Sequence, residues 1–157
     1  MSIRIIWVDK TRPPYLREGV NDFIKRIRGF CKLEIIEVRS EKYRKNVDID
    51  RAKLEEGIKI MKCFKDSSFK IVLDAQEDVI SSKDFSKIIK EHLIETGRGI
   101  DFVVGGTYGL NPLVTKKADR ALSLSPMTIN HQLVRLFLLE QIYRGFCIIH
   151  KIAYQKD

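Results

Sequence analysis

The chain has 157 residues and a mass of 18.3 kDa, with 44% hydrophobic and 32% charged residues. That size fits one domain over residues 1–157 able to build a full core, and the composition excludes a disordered or fibrous chain. No apolar run approaches the roughly 20 residues that span a bilayer, and the first residues lack a signal-peptide pattern, so a soluble cytoplasmic protein with no membrane partner is expected. The net charge of +8 is uneven: residues 1–65 hold 17 Lys/Arg against 10 Asp/Glu, whereas residues 66–157 hold 12 against 11. A basic half beside a neutral half suggests a surface facing a polyanion, and a merely solubilising surface explains the charge equally well.

In chain order, Ile3 to Val8 is a short apolar run that predicts a first strand. Pro13-Pro14 then opens a helix whose apolar marks are Leu16, Val20, Phe23, Ile24 and Ile27, stopped by Gly29. Leu33 to Val38 predicts a second strand. The stretch 39–46, four cations around Tyr43, predicts a surface loop that either grips phosphates and stacks on a base or is simply solvated. Asp50 is the expected cap of a helix marked by Leu54, Ile58, Met61 and Phe64. Phe69 to Leu73 predicts a third strand.

Ser81 with Asp84 predicts a capped helix through Leu93, ended by Thr96-Gly97-Arg98-Gly99. Asp101 to Val104 predicts a fourth strand running into Gly105-Gly106-Thr107-Tyr108-Gly109. Asn111-Pro112 opens a short helix to Lys117, and Arg120 to Leu124 predicts a fifth strand. A last helix is expected from about His131 to Cys147. Strands alternating with helices predict an α/β fold, a mostly parallel sheet sandwiched by helices.

The last helix has no single polar face. Gln132, Arg135, Glu140, Gln141 and Arg144 scatter among apolar neighbours, which predicts burial on most sides, in a dimer or as a central core helix. Cys31, Cys63 and Cys147 are odd in number with no C-x-x-C pairing, and His92, His131 and His150 are scattered. Neither a disulfide framework nor a metal site is expected, and Cys147 reads as a buried structural thiol.

In open α/β sheets ligands bind beyond the carboxyl ends of strands. Three such ends carry suitable chemistry: Leu73-Asp74, Gly105-Gly106 and the segment 124–129. The glycine run lacks both the G-x-G-x-x-G dinucleotide spacing and the G-K-[ST] of a phosphate loop.

Three segments together resemble the RlmH family of SPOUT methyltransferases: Phe102-Val103-Val104-Gly105-Gly106-Thr107-Tyr108-Gly109-Leu110, then Leu122-Ser123-Leu124-Ser125-Pro126-Met127-Thr128, then Leu133-Val134-Arg135 through Glu140-Gln141-Ile142-Tyr143-Arg144. The resemblance covers essentially the whole chain. It implies a SPOUT-type sheet with a C-terminal trefoil knot, a homodimer, and S-adenosylmethionine as cofactor. The implied reaction is methylation of N3 of a pseudouridine in 23S rRNA on the assembled ribosome.

Carried over by position, the cofactor site would comprise Leu73, Gly105 and the knotted loop Leu124, Ser125, Pro126, Met127, Thr128 and Ile129. Arg144, His131 and Tyr154 are the substrate-side candidates. Arg144 has an alternative as an i,i+4 partner of Glu140, and His131 as a helix-start residue.

Three departures from the family pattern stand out. Ala75-Gln76-Glu77-Asp78 replaces a Gly-Lys, Asn130-His131 replaces Pro-His, and the tail reads Tyr154-Gln155-Lys156 where a Tyr-His followed by a basic residue is common. Glutamine donates and accepts hydrogen bonds but cannot act as a base. A SPOUT dimer that binds cofactor or ribosome without methyl transfer is therefore one alternative. A SPOUT enzyme acting on another RNA, such as tRNA, is the other.

Overall fold

A computed structural model describes residues 1–40 and 48–154. The sheet has five strands: β1 (Ser2–Val8), β2 (Lys32–Val38), β3 (Phe69–Leu73), β4 (Ile100–Val104) and β5 (Arg120–Leu122). Their order is β2-β1-β4-β3-β5, and every pairing is parallel. The helices are α1 (Pro14–Ile27), α2 (Ile49–Cys63), α3 (Ser82–Ile89), α4 (Pro112–Lys117) and α5 (Leu133–His150).

The expected alternation of strands and helices is present, and it dictates the layers. Strands buried on both faces need helices on both faces. Alternate residues of the strands point to opposite sides: Ile3, Ile5, Trp7, Ile71 and Phe102 join the core with α1, α3 and α5, while Ile6, Val8, Val72 and Val103 join a smaller core against α2 and α4. All five residues of β4 are buried, as its central place requires.

Four boundaries differ from the sequence reading, each for a local reason. Asp48, not Asp50, caps α2: its carboxylate accepts the Asp50 backbone N–H at 3.0 Å. α3 does not continue to Leu93 as α-helix but widens into a π-turn over Lys90–Glu95. Strand β5 stops at Leu122, and Ser123 instead donates its N–H to the carbonyl of Asp78, which frees Leu124 from the sheet. α5 starts at Leu133 and runs to His150, where Lys151 turns left-handed (φ 55°) and Ile152 N–H closes the end on Cys147 O.

The basic stretch with Tyr43 lies almost wholly outside the described residues, as does Gln155. No helix among the described residues is long and apolar enough to cross a membrane. Cys147 is buried, as its apolar setting predicts.

Candidate functional site

Register brings the strand ends level. Trp7 pairs with Val104, Val104 with Leu73, and Leu73 with Leu122, so β1, β4, β3 and β5 finish along one edge. Beyond that edge the chain leaves the sheet in four loops, and two adjoining cavities open among them.

The first cavity is lined by Leu73, Gly105, Leu124, Ser125, Met127 and Ile129, six of the eight expected cofactor positions. Pro126 and Thr128 belong to the same loop but lie outside the lining. His131 contributes to the wall as well, with Asp74, Val104, Gly106, Ser123 and Val134. None of these last five was among the cofactor positions expected from the sequence. The strand-end rule already pointed to Asp74 and Gly106, whereas Ser123 and Val134 needed the folded loop.

Local chemistry shapes that wall. The Ser123 hydroxyl donates to the carbonyl of Ser125 at 2.8 Å, and the Ser125 hydroxyl accepts the Met127 N–H at 3.0 Å. The glycine run closes on itself: Gly109 N–H donates to Gly106 O, and Gly109 sits at φ 79°, a conformation that L side chains rarely adopt. A Cβ on Gly105 would lie 3.0 Å from Leu110 Cγ and 3.1 Å from the carbonyl carbon of Gly109. Gly105 is therefore needed by the turn's own packing as well as by any ligand beside it. The acidic departure at 77–78 forms an exposed turn, anchored because Asp78 O accepts from Ser123.

The second cavity meets the first at Gly106 and His131 and is lined by Asp9, Arg12, Glu56, Thr107 and Gln132 among others. The start of α5 fastens this region. Arg135, fully buried, donates to the carbonyls of Val8 and Asp9 and to the Thr11 hydroxyl, with its guanidinium 4.9 Å from the centre of the Trp7 ring. Burial pulls its pKa down to about 10, against the opposing pull of Glu37 and Asp9. Gln132 accepts the Arg12 N–H at 3.0 Å and donates to Lys10 O at 3.2 Å. Asp9 is held at φ 69° in the loop so clamped.

Among the substrate-side candidates, His131 stands at the junction of the two cavities. Burial lowers its pKa, as do the nearby Arg135 and Arg12 charges, with Asp9 opposing, so its surroundings favour the neutral ring. Arg144 and Tyr154 are elsewhere. Arg144 donates to Glu140 from Nη2 at 2.6 Å and Nε at 3.1 Å, and its guanidinium lies 5.0 Å from the Tyr154 ring centre. Tyr154 in turn meets Tyr143 edge-on at 4.9 Å. Burial raises the Tyr154 pKa, and Glu140 adds to the rise. Neither residue lines either cavity of its own chain.

The scattered polar residues of α5 thus have partners within one chain: Gln141 also accepts the Ser82 hydroxyl at 2.6 Å. Among the described residues, no group of three or more His, Cys, Asp or Glu could hold a metal ion.

Comparison with known proteins adds an independent line. A family model described as "Predicted SPOUT methyltransferase" matches residues 1–155. Proteins named ribosomal RNA large subunit methyltransferase H are 39% identical in Clostridium acetobutylicum, 38% in Acetivibrio thermocellus and 40% in Clostridium botulinum. Each match spans 99% of this chain and 100% of the relative. The fold matches that of a probable methylase family protein from Haemophilus influenzae with a TM-score of 0.56 at 13% identity, over 95% of this chain and 66% of the other. The chain belongs to the SPOUT methyltransferase family, in its ribosomal RNA large subunit methyltransferase H branch.

Proposed function

We propose that this chain is one cytoplasmic domain, residues 1–157, that uses S-adenosylmethionine to methylate N3 of a pseudouridine in 23S rRNA on the assembled ribosome. The observation that carries the reading is the first cavity, where six expected cofactor positions from three separate strand ends converge. Their chemistry fits the donor. Leu73, Val104, Leu124 and Ile129 offer apolar walls for a purine, the glycine run offers bare backbone, and the Asp74 carboxylate offers a counter-charge for a cationic group. When bound, the donor supplies a methyl group already activated on a sulfonium. The chain's own residues then have to hold the acceptor nitrogen in line and receive its proton.

The working unit in this reading is a homodimer with the 124–129 loop inside a C-terminal trefoil knot. Tyr15 (73% exposed), Met127 (75%) and Leu133 (45%) present apolar surface around the cavities that a second copy would cover. Arg144 and Tyr154 stand apart from the cavities of their own chain, so they would serve a substrate from the second copy. The basic first 65 residues supply cations for rRNA phosphates.

The test is transfer of labelled methyl to unmethylated whole ribosomes, separated subunits or tRNA. Label in 23S rRNA only with whole ribosomes is expected. Gln155 in place of a tail histidine favours a second reading, a SPOUT dimer without methyl transfer, which cofactor binding with no label in any RNA would establish. Label in tRNA alone would point to a different RNA substrate.

A further inference from the structure

We propose that a groove on the outer flank of α1 holds the rRNA strand next to the methyl-accepting nucleotide and grips its phosphates; this rests on the reading above. A donor in the first cavity leaves its methyl group to be met by a base entering from a neighbouring space. The second cavity is that space, because Gly106 and His131 are walls of both. The strand that carries the base has to leave the second cavity somewhere. Asp9 and Arg12, in the wall of the second cavity, are also walls of the groove, so the two adjoin.

Helix spacing makes the groove. Arg17, Asn21, Ile24 and Arg28 recur at steps of four, three and four, which places them on one flank of α1. α5 occupies a different flank, where Gly19 abuts Leu136 and the Phe23 ring meets Tyr143. The flank with Arg17 faces β2 instead, and β2 pairs with β1 alone, at the edge of the sheet. Trp7, Val20, Ile24 and Ile35 give the groove an apolar floor. Its volume of about 690 Å³ lies within the range of pockets that take a drug-sized ligand, enough for a nucleotide unit.

Charge selects the occupant. Lys10, Arg12, Arg17 and Arg28 stand around that floor, all four exposed. Arg12 pairs with Asp9, whereas Lys10, Arg17 and Arg28 make no ion pair among the described residues. Glu37 is the other acid of the groove, so cations remain in surplus. A small free anion would need one of them. The row from Arg17 to Arg28 runs about 16 Å along the helix axis, which suits a chain of phosphates.

An acidic protein segment would meet the same cations, but only a nucleotide strand has a reason to continue from the groove into the second cavity. Contacts of this kind fix the strand's position and read no sequence. Part of the basic half of the chain thereby gains a location and a direction of approach.

The test measures binding to unmethylated whole ribosomes across a salt series for wild type, Arg17→Ala/Arg28→Ala, Arg17→Lys/Arg28→Lys and Lys116→Ala/Lys117→Ala. The last pair removes as much charge as the first, from α4 on the other layer of the sheet. Calorimetric affinity for S-adenosylmethionine, thermal midpoints and methyl transfer by wild type to the same ribosomes are measured alongside. The alanine pair in the groove is expected to bind ribosomes on the order of 10-fold more weakly, with a log–log salt slope shallower by about 1.4, or about 0.7 for each lost phosphate contact. Its donor affinity and thermal midpoint should stay at wild-type values. The lysine pair should recover the slope, because a phosphate accepts a point charge, and the α4 pair should keep it. A photoreactive Asn21→p-benzoylphenylalanine variant should crosslink to 23S rRNA nucleotides adjoining the methylated one.

Wild-type affinity and slope in the alanine pair overturn the proposal. So does an equal loss in the α4 pair, which makes the effect one of net charge, or no recovery in the lysine pair, which makes it structural. Crosslinks confined to ribosomal protein, or to rRNA remote from the methylated nucleotide, overturn it as well. If wild type itself labels no RNA, the methyltransferase reading fails first and the proposal falls with it.

Discussion

The two ends of α5 are built for opposite purposes. At its start, Gln132 and Arg135 are buried and make five side-chain hydrogen bonds to the 8–12 segment, clamping the loop that carries Asp9 and Arg12. At its finish, Arg144 pairs with Glu140 and lies against Tyr154, with side-chain exposures of 15% and 21% for the ion pair. The first end is a fixed part of the site wall. The second is a preassembled cation held away from it, consistent with use by a second copy. A scattered polar pattern along a helix therefore need not signal an enclosing partner: Gln132, Arg135, Glu140, Gln141 and Arg144 all have partners within one chain.

The comparison can be broken in several places. The largest effect is expected at Gly105→Trp, which would collide with the Gly109 backbone and fill the wall beside α5's start; calorimetric affinity for S-adenosylmethionine should fall more than about 100-fold with the far-ultraviolet circular dichroism retained. Unchanged affinity would move the donor out of the first cavity. Next, Arg135→Ala leaves two carbonyls and a hydroxyl without their donor and should cost about 3 kcal/mol in urea unfolding. Arg144→Ala, at the other end, should cost less than about 1 kcal/mol because its ion pair is partly solvated. It should nevertheless slow methyl transfer on the order of 10-fold with donor affinity intact. If Arg144→Ala transfers at the wild-type rate, the second end is only structural.

The smallest effect concerns pH. His131 has a folded pKa below its unfolded value, so the folded chain binds fewer protons there. Its contribution is present above the unfolded pKa near 6.5 and is lost as pH falls from there through the lower folded pKa. Wild type should thus lose more stability than His131→Gln between pH 7.5 and pH 5, read from urea midpoints.

Much of this was legible in the residues because the signals were local. The first four strand runs, the Ser81 cap and the Asn111-Pro112 helix start depend on a few neighbours, and they fall within a residue of where the pattern puts them. The wall of the first cavity was legible through strand ends, a rule of α/β sheets, and through the family resemblance. The role of Arg135 was not, because its partners lie about 125 positions away, at Val8, Asp9 and Thr11.

The place of β4 has a consequence for how the chain is made. It lies between β1 and β3, so the Arg4–Asp101 contact closes a separation of 97 residues at the middle of the sheet. Until residue 104 is synthesised, β1 and β3 each have a bare inner edge, and nothing earlier in the chain pairs them. High contact order of this kind predicts slow folding, and it exposes strand edges of the sort that invite association between nascent chains. A chain built this way has its central strand only after about two thirds of its length has been made, and its five-stranded sheet is complete only once β5, ending at Leu122, has followed.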